Sequence, residues 1–342
     1  MRIALDAAGG DFGLAPNVEG AVQAASGLGC RVCLVGPAEA LRRELSARGI
    51  APGDGRFEVV DAPELIAMEE DPVRACREKP KASINVAANL VSEGRADALV
   101  SAGHSGATMV ASLWALKRLP GVLRPAIVCP IPTARGTSVL LDAGANTECR
   151  PWHLLQFAMM GVLYARHVLK MEHPSVGILS NGEEETKGNE LVREAVPLLK
   201  YSGLNFYGPI EGRDIAAGTV DVVVCDGFTG NICIKLMEGV ARVLMSQLKD
   251  EIGRGALSKL GGLLIRPAAR SVKRRMSDEE YGGAPLLGVG GTAIICHGKS
   301  SPRAIFNAHR VAKELVEAGA NDRIRAALEG LKSSLEMTKA VD

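Results

Sequence analysis

The sequence predicts an α/β protein, folded as a three-layer α/β/α sandwich around a mostly parallel sheet. Three observations predict it. Short runs of continuous apolar, β-branched residues recur along the chain, as in strands that are buried on both faces. A glycine-rich turn follows most of these runs, and segments with helical periodicity lie between them. This alternation is typical of an open sandwich with helices on both faces of the sheet.

Nine runs are predicted as strands. In chain order they are RIALD, CRVCLVG, FEVVD, DALVSAG, AIVCPIP, SVLLDAG, SVGILSNG, DVVVCDG and AIICHGK. Helical periodicity is clearest in INVAANLVSEG and HLLQFAMMGVLYARHVL, which lie between such runs. Because no linker-like segment or internal repeat divides the chain, we expect residues 1–342 to form one domain.

The composition excludes several classes of protein. The formal net charge is +1, so the chain has no overall attraction to nucleic acid. No apolar stretch approaches the roughly 20 residues that span a bilayer. The opening segment, MRIALDAAGGD, lacks the layout of a signal peptide, because an acid and glycines follow at once. We therefore expect a cytoplasmic protein without nucleic-acid partners.

The eight cysteines suit the same compartment. Cys30 and Cys33 have the C-x-x-C spacing of some zinc sites. Their segment has the pattern of a strand, however, which places residues three apart on opposite faces. No second Cys or His pair completes a zinc ligand set. The sequence therefore predicts buried core thiols and no metal.

One segment departs from the strand-and-helix rhythm. Residues 252–277 contain seven Lys or Arg residues and no acid, and Leu263 and Leu264 lie between them. Pro267 is expected to divide the segment into two helices. One interpretation is a solvated helix pair packed on the core. We favour a basic amphipathic arm that contacts an acidic partner or a lipid surface. Its cations are Arg254, Lys259, Arg266, Arg270, Lys273, Arg274 and Arg275.

The chemistry is expected in the turns that follow strands, because ligands of open α/β sheets bind beyond the carboxyl ends of the strands. Backbone N–H groups in such glycine-rich turns can hold an anion, helped by the helix dipole. None of the turns has the phosphate-binding pattern G-x-x-x-x-G-K-[ST], so nucleotide binding is unsupported. The turns are residues 5–11, 101–109, 180–190, 225–232 and 295–301.

The turn GHSGA resembles the nucleophile elbow G-x-S-x-G of serine hydrolases, but Ala107 stands where the last glycine should be. Ser105 is therefore expected to cap the following helix or to bind an anion there. His104 is interpreted either as a donor to a ligand or as a turn residue, and both alternatives remain. Gly106 belongs to the same candidate anion site.

In the turn SNGEEETKGNE, the carboxylates of residues 183–185 are predicted at the start of a helix, where they complement its dipole. Lys187 would oppose that dipole, which is explained if an anion bridges its ammonium to the backbone amides. Gly188 leaves room for a ligand to approach closely. We therefore predict that Lys187 binds an anion.

The turn CDGFTGNI repeats this logic. Thr229 and Gly230 form the turn after a strand, and Asn231 opens the next helix. Asn231 is interpreted either as the cap of that helix or as an amide donor to a phosphate or to a developing oxyanion. Lys235 lies one turn further on the same side. The spacing predicts anion binding but leaves the anion and the reaction open.

The motifs, taken together, identify a family. DAAGGDFGLAP, VSAGHSGATM, GANTECRPWHLLQFAMMG, NGEEETKGNEL, DGFTGN and YGGAPLLGVGG stand in this order along most of the chain. Their combination resembles the PlsX family of phosphate acyltransferases. The resemblance implies a sandwich of the isopropylmalate dehydrogenase and phosphotransacetylase type. Members commonly have Asn-Thr where this chain has His104 and Ser105.

The resemblance also implies an activity. The family transfers a fatty acyl group from acyl carrier protein to inorganic phosphate, giving acyl phosphate for phospholipid synthesis, without a cofactor and usually as a homodimer. Its essential lysine and asparagine correspond to Lys187 and Asn231. Partners would then be acyl carrier protein, phosphate, a membrane surface and a membrane glycerol-3-phosphate acyltransferase. The alternatives are coenzyme A as acyl donor and a scaffold without catalysis.

Overall fold

The structure is a computed structural model that describes residues 1–275 and 278–339. Each strand corresponds to a short, mostly apolar run. In chain order the strands are β1 (Arg2–Asp6), β2 (Arg31–Gly36), β3 (Phe57–Asp61), β4 (Ala98–Ser101), β5 (Ala126–Ile127), β6 (Cys129–Thr133), β7 (Gly136–Leu141), β8 (Val176–Leu179), β9 (Phe206–Ile210), β10 (Val222–Val224), β11 (Ala284–Leu287) and β12 (Thr292–Ile295).

Helices follow most of the strands. They are α1 (Leu14–Gly27), α2 (Ala38–Ala47), α3 (Pro72–Glu78), α4 (Ser83–Ser92), α5 (Ser105–Leu116), α6 (Pro151–His167), α7 (Glu190–Lys200), α8 (Gly212–Ala217), α9 (Gly227–Arg254), α10 (Ala256–Arg275), α11 (Asp278–Tyr281), α12 (Pro302–Glu317) and α13 (Ala320–Lys339).

The strands form two sheets. The first has the order β3-β2-β1-β4-β12-β11-β5 and the second the order β6-β7-β10-β8-β9. Strand β11 runs antiparallel to β12 and β5, β6 runs antiparallel to β7, and the other described pairs are parallel. The chain passes from the first sheet to the second at β5 and β6, which only the buried Val128 separates. The predicted mostly parallel sheet is confirmed, divided in two, and one domain over residues 1–342 stays a prediction.

The first sheet is buried on both faces. Along β2, Val32 and Leu34 belong to one apolar cluster, whereas Cys33 and Val35 belong to another. This alternation follows from the period of two in a strand, and it explains why the sequence shows a continuous apolar run. Cys30 belongs to the first cluster. The thiols of Cys30 and Cys33 therefore lie on opposite faces, as predicted.

All nine predicted runs contain strands, but two strands were missed. The missed strands are β9, which contains Gly208 and Pro209, and β11, which contains Pro285. Glycine and proline are depleted in strands because one weakens the extended backbone and the other lacks a ladder donor. The run AIVCPIP, predicted as one strand, is divided into β5 and β6, where the chain changes sheets.

The basic segment forms a helical hairpin with the end of α9, but the predicted break is wrong. Helix α10 continues through Pro267, and the chain breaks at Gly255, whose backbone is extended. Most of α10 is exposed, so water can bond to the carbonyl that a proline leaves without a donor. The two helices meet closely, since a Cβ at Gly262 would lie 2.4 Å from the Ile252 side chain.

The hairpin presents apolar side chains to solvent. Leu263 and Leu264 are 62% and 78% exposed. Arg254 pairs with Glu251, while the side chains of Lys273, Arg274 and Arg275, and residues 276 and 277, lie outside the described part of the chain. None of the helices within residues 1–275 and 278–339 has the length and hydropathy that crossing a membrane requires.

Candidate active site

A cleft of about 360 Å³ lies between loops of the two sheets. The first sheet contributes Ser105 after β4 and His297, Lys299 and Ser300 after β12. The second sheet contributes Ala143 and Gly144 after β7 and Asn231 after β10. These loops all follow the carboxyl ends of parallel strands, where ligands bind in such sheets. The cleft is therefore the candidate site.

Three helices begin at this cleft. Ser105, Asn231 and Ala304 line it, and they lie within the first five residues of α5, α9 and α12. The start of a helix carries a partial positive charge and unpaired N–H groups, both of which favour an anion. Lys299 adds a full positive charge to the same wall. The arrangement is suited to a ligand with concentrated negative charge.

The start of α9 is fixed by Asp226 and not by Asn231. The Asp226 carboxylate accepts hydrogen bonds from the Thr229 amide, at 2.9 Å, and the Thr229 hydroxyl, at 2.8 Å. The alternative that Asn231 caps the helix is therefore wrong, because Asn231 is already the fifth helical residue. Its exposed amide group is left available to a ligand.

Beneath Asn231 lies a carboxylate that holds the two sheets together. Asp142, fully buried after β7, accepts hydrogen bonds from the amides of Ile127 (3.0 Å), Gly144 (3.2 Å), Ala145 (3.1 Å) and Asn146 (2.7 Å). The Asn146 side chain donates a further bond at 2.9 Å. Burial raises the pKa of Asp142 and these donors oppose the rise. Because Ile127 belongs to the first sheet, Asp142 fixes the floor of the cleft.

The first turn of α9 packs directly on this floor. A Cβ at Gly227 would lie 2.7 Å from an Asp142 side-chain oxygen, and one at Gly230 would lie 2.0 Å from the Asp142 carbonyl oxygen. A Cβ at Gly144 would meet the Asn231 side chain at 3.5 Å. The glycines therefore allow the close approach that places Asn231 in the cleft. Close packing therefore requires glycine at position 230, whether or not Gly230 also binds phosphate.

The turn after β4 is held by a second buried carboxylate. The Ser101 hydroxyl donates to Asp6 at 2.8 Å and accepts from the Gly103 amide at 3.1 Å. Burial raises the pKa of Asp6. His104, not Ser105, caps α5, because its Nδ1 accepts from the Ala107 amide at 3.2 Å. The predicted cap role of Ser105 is therefore wrong, and Ser105 lines the cleft as the first helical residue.

The turn after β8 differs from its prediction. Helix α7 begins only at Glu190, capped by Asn189, so residues 183–185 do not lie at a helix start. Across the surface, Glu183 instead pairs with Arg213 at 3.1 Å and Glu185 with Lys200 at 2.8 Å. These ion pairs explain the carboxylates of Glu183 and Glu185 without a helix dipole.

Lys187 lies in this loop, three residues before α7. Its side chain is exposed, and within the described residues no hydrogen bond or ion pair engages its ammonium group. Gly188 has a φ of +92°, and its amide donates to Asn181 at 2.9 Å. Glycine is required there because other residues rarely adopt this backbone conformation. Because β8 and β10 are neighbours, the Lys187 loop lies beside the turn that carries Asn231.

The structure brings some of the predicted residues together and leaves others apart. Ser105 and Asn231 line one cleft, whereas His104, Gly106, Lys187, Gly188, Thr229, Gly230 and Lys235 are not among its described lining residues. The turn after β12 was predicted from the sequence as a ligand-binding turn, but Lys299 within it was not singled out. Asp142 was not predicted as part of the site. The signal for Lys299 was its place after a strand end, next to a glycine. A lone buried aspartate has no sequence signal.

Other features of the described residues do not compete with this site. No group of three His, Cys, Asp or Glu side chains in residues 1–275 and 278–339 is placed to hold a metal ion. A larger cavity of about 570 Å³ is lined by Met159, Leu163 and Leu204, away from the carboxyl-end loops. The convergence of helix starts favours the smaller cleft as the place of chemistry.

Comparison with known proteins agrees with the sequence resemblance. A family model described as fatty acid synthesis protein matches residues 1–323. The phosphate acyltransferase of Elusimicrobium minutum (strain Pei191) is 51% identical over 340 residues, covering 99% of each chain. That of Geobacter sulfurreducens is 49% identical over 329 residues, covering 96% of this chain and 94% of the relative.

Solved structures agree on the fold. A phosphotransacetylase from Streptococcus pyogenes aligns with a TM-score of 0.62 at 18% identity, covering 94% of both chains. A 4-hydroxythreonine-4-phosphate dehydrogenase from Klebsiella pneumoniae aligns with a TM-score of 0.54 at 15% identity, covering 92% of this chain and 99% of the other. At such identities the likeness concerns the fold, and it confirms the expected phosphotransacetylase type.

Proposed function

This chain belongs to the phosphate acyltransferase family of fatty acid synthesis proteins and is an acyltransferase, and on that premise we propose that it transfers a fatty acyl group from acyl carrier protein to inorganic phosphate. A phosphate oxygen forms a bond to the acyl carbonyl carbon, and the thioester C–S bond breaks. The products are acyl phosphate, for phospholipid synthesis, and the free thiol of the carrier. No cofactor takes part.

The observation that carries this proposal is the convergence of α5, α9 and α12 on one cleft beside Lys299. Phosphate is a dianion near neutral pH, and helix starts together with a lysine suit its charge. The phosphate contacts we propose are the turns at the helix starts, the Lys187 loop and the side chain one turn beyond Asn231. They comprise His104, Ser105, Gly106, Gly188, Thr229, Gly230 and Lys235.

Lys187 and Asn231 are the proposed catalytic residues. Phosphate is itself a nucleophile, so no side chain has to be acylated, and the protein must position it and stabilise the tetrahedral oxyanion. The Asn231 amide is a fixed donor on α9, and the Lys187 ammonium supplies charge from the neighbouring loop. The thiol is a good leaving group, since its free pKa is about 8.5. A strong general acid is therefore unnecessary.

The experiment is a turnover assay with purified protein, acyl-carrier-protein thioester and phosphate. We expect release of carrier thiol together with an acyl phosphate that hydroxylamine traps as a hydroxamate. A coenzyme A thioester run in parallel tests the alternative donor, and binding without thiol release would indicate a scaffold. We expect EDTA to leave the rate unchanged. Activity lost with EDTA and restored by Mg²⁺ would contradict the metal-free proposal.

The hairpin of α9 and α10 is the proposed contact for acyl carrier protein and for a membrane surface. Its cations suit an acidic carrier or anionic lipid, at up to about 1 kcal/mol per Lys or Arg near the lipid surface, and Leu263 and Leu264 are exposed between them. We further propose a cytoplasmic homodimer, peripherally bound to membrane, that delivers its product to a membrane glycerol-3-phosphate acyltransferase. Analytical ultracentrifugation tests the dimer.

Reversing charges of the hairpin tests this contact. We expect the change of Arg270, Lys273, Arg274 and Arg275 to Glu to raise the KM for acyl carrier thioester and to weaken cosedimentation with anionic vesicles. The wild-type interaction should also fall as salt rises, because salt screens exposed charges. If both the KM and the vesicle binding keep their wild-type values, the hairpin serves only packing.

A further inference from the structure

The cleft has an apolar wall that the proposed phosphate contacts do not use. Ile127, Cys129, Pro130 and Ile234 line the same cleft as Asn231. Ile127, Cys129 and Ile234 are only partly buried, although each packs against an apolar cluster of the core. Apolar surface held open inside a polar cleft is the usual sign of a site for an apolar ligand group.

The residues of α9 that line the cleft lie in a row along one face of the helix. Asn231, Ile234 and Glu238 are spaced i, i+3 and i+7, so they lie on one side of the helix, and all three line the cleft. The distance along the axis from the first to the last is roughly 10 Å, at 1.5 Å per residue. The face therefore passes from an amide through an apolar side chain to a carboxylate.

Charges of both signs line the cleft. Lys299 lines it together with the helix starts, whereas Glu238 and Glu279 also line it. A carboxylate repels a phosphate dianion, and Glu238 lies about two helical turns beyond Asn231, so phosphate is favoured near Lys299 and the helix starts. An acyl thioester whose carbonyl lies at Asn231 then has its alkyl chain beside Ile234, one helical turn away.

We propose that Ile127, Cys129, Pro130 and Ile234 form the subsite that binds the first part of the acyl chain, and that Glu238 marks where the chain leaves the cleft. This inference rests on the proposed acyl transfer. It assigns the preference for fatty acyl groups over short ones to burial of alkyl carbons on this wall, since each buried methylene favours binding.

The experiment truncates one apolar side chain of the wall and varies the length of the acyl chain in the substrate. The variant is Ile234→Ala, and kcat/KM is measured with acetyl, octanoyl and palmitoyl thioesters of acyl carrier protein. We expect the palmitoyl value to fall at least about tenfold and the acetyl value to change by less than about twofold, because loss of apolar contact in a pocket costs on the order of tenfold or more. The matched control is Leu236→Ala, two residues along the same helix, where the side chain is 63% exposed and is not among the described lining residues of the cleft.

The outcomes are distinguishable. If wild-type protein transfers every chain but Ile234→Ala lowers all three values by one factor, or leaves the palmitoyl value unchanged, the acyl subsite is wrong while the reaction stands. If wild-type protein is inert with every thioester, the proposed function fails and the subsite with it. Should Ile234→Ala lose its circular dichroism signal, Ile234→Val must show the same dependence on chain length with a smaller factor.

Discussion

Asn231 is placed by backbone packing and buried hydrogen bonds, whereas Lys187 is placed by an exposed loop. The Asn231 side chain stands on Gly144, whose amide is bound by the fully buried Asp142. A donor fixed in this way costs little reorganisation when an oxyanion develops. Among the described residues, no hydrogen bond or ion pair holds the Lys187 ammonium, and the side chain is exposed. For the proposed reaction, the two residues are therefore suited to different tasks, orientation and charge.

We expect Lys187→Ala and Asn231→Ala each to remove most activity without unfolding the protein. Loss of one donor to a phosphate or an oxyanion typically lowers the rate on the order of 10²–10³. Both side chains are exposed, so truncation should leave the core intact. The measurement is kcat and KM for phosphate and for the thioester, with circular dichroism to check the fold.

The matched control is Lys170→Ala, because this lysine is also exposed and, within the described part of the chain, its ammonium donates to the His167 carbonyl alone. It should keep the wild-type rate. Near-normal turnover by Lys187→Ala or Asn231→Ala, with an unchanged spectrum, would remove that residue from the proposed mechanism.

At the scale of elements, the sequence predicts what local patterns determine. Strands buried on both faces, such as β2, appear as continuous apolar runs, and the turns after them are rich in glycine. Strands β9 and β11 were missed because proline and glycine interrupt them. The break at Gly255 in place of Pro267 was missed because an exposed helix tolerates proline.

The parts of the site that were missed depend on contacts between distant segments. Asp142 bonds to Ile127 across the junction of the two sheets, and Glu183 pairs with Arg213 thirty residues away. No periodicity or spacing records such pairs. Lys187 and Asn231 were predicted because their turns carry unusual polar residues, and Ser105 because its turn resembles a known motif. Of these three, Asn231 and Ser105 line the cleft.

The start of α9 gives a test at this scale with a control in the same helix. We expect Gly230→Ala to lower both activity and stability, because the new methyl group would lie 2.0 Å from the Asp142 carbonyl oxygen and force the helix away. Overpacking of this kind typically costs about 1–3 kcal/mol. Displacement of α9 also moves Asn231, so kcat should fall with the urea midpoint.

The control is Gly239→Ala, since a Cβ there would have no neighbour within 4 Å. It should raise the free energy of unfolding by about 0.5–1 kcal/mol, because alanine favours a helix more than glycine does, and it should leave kcat unchanged. Equal behaviour of the two variants would show that α9 does not pack on the Asp142 loop as described.

At the scale of the whole molecule, helix α12 covers part of the first sheet, since it packs against strand β4 and against helix α1. A Cβ at Gly20 would lie 2.5 Å from the Ile305 side chain, so these helices are in close contact. His309 lies in α12, fully buried, with its Nδ1 2.8 Å from the Ile305 carbonyl oxygen. The core thus contains a titratable ring that the proposed mechanism does not use.

Burial lowers the pKa of His309 from 6.5 to about 4. The hydrogen bond to Ile305 indicates that Nδ1 carries the proton, and Nε2 is buried without a partner among the described residues. A second proton on Nε2 would place an unpaired charge in the core. The unfolded chain takes up this proton below about pH 6.5, whereas the folded chain resists it until about pH 4.

Acid therefore lowers the free energy of unfolding through His309. His309 adds no pH dependence to stability above about pH 6.5, where both states are neutral, and it destabilises the fold progressively as the pH falls from about 6.5 to about 4. The full effect is roughly 3 kcal/mol, at about 1.4 kcal/mol per pKa unit. We expect urea midpoints of wild-type protein to fall over this range and those of His309→Gln to fall less. His173→Gln, at an exposed histidine, should keep the wild-type slope, and an equal slope in His309→Gln would assign the acid sensitivity to other groups.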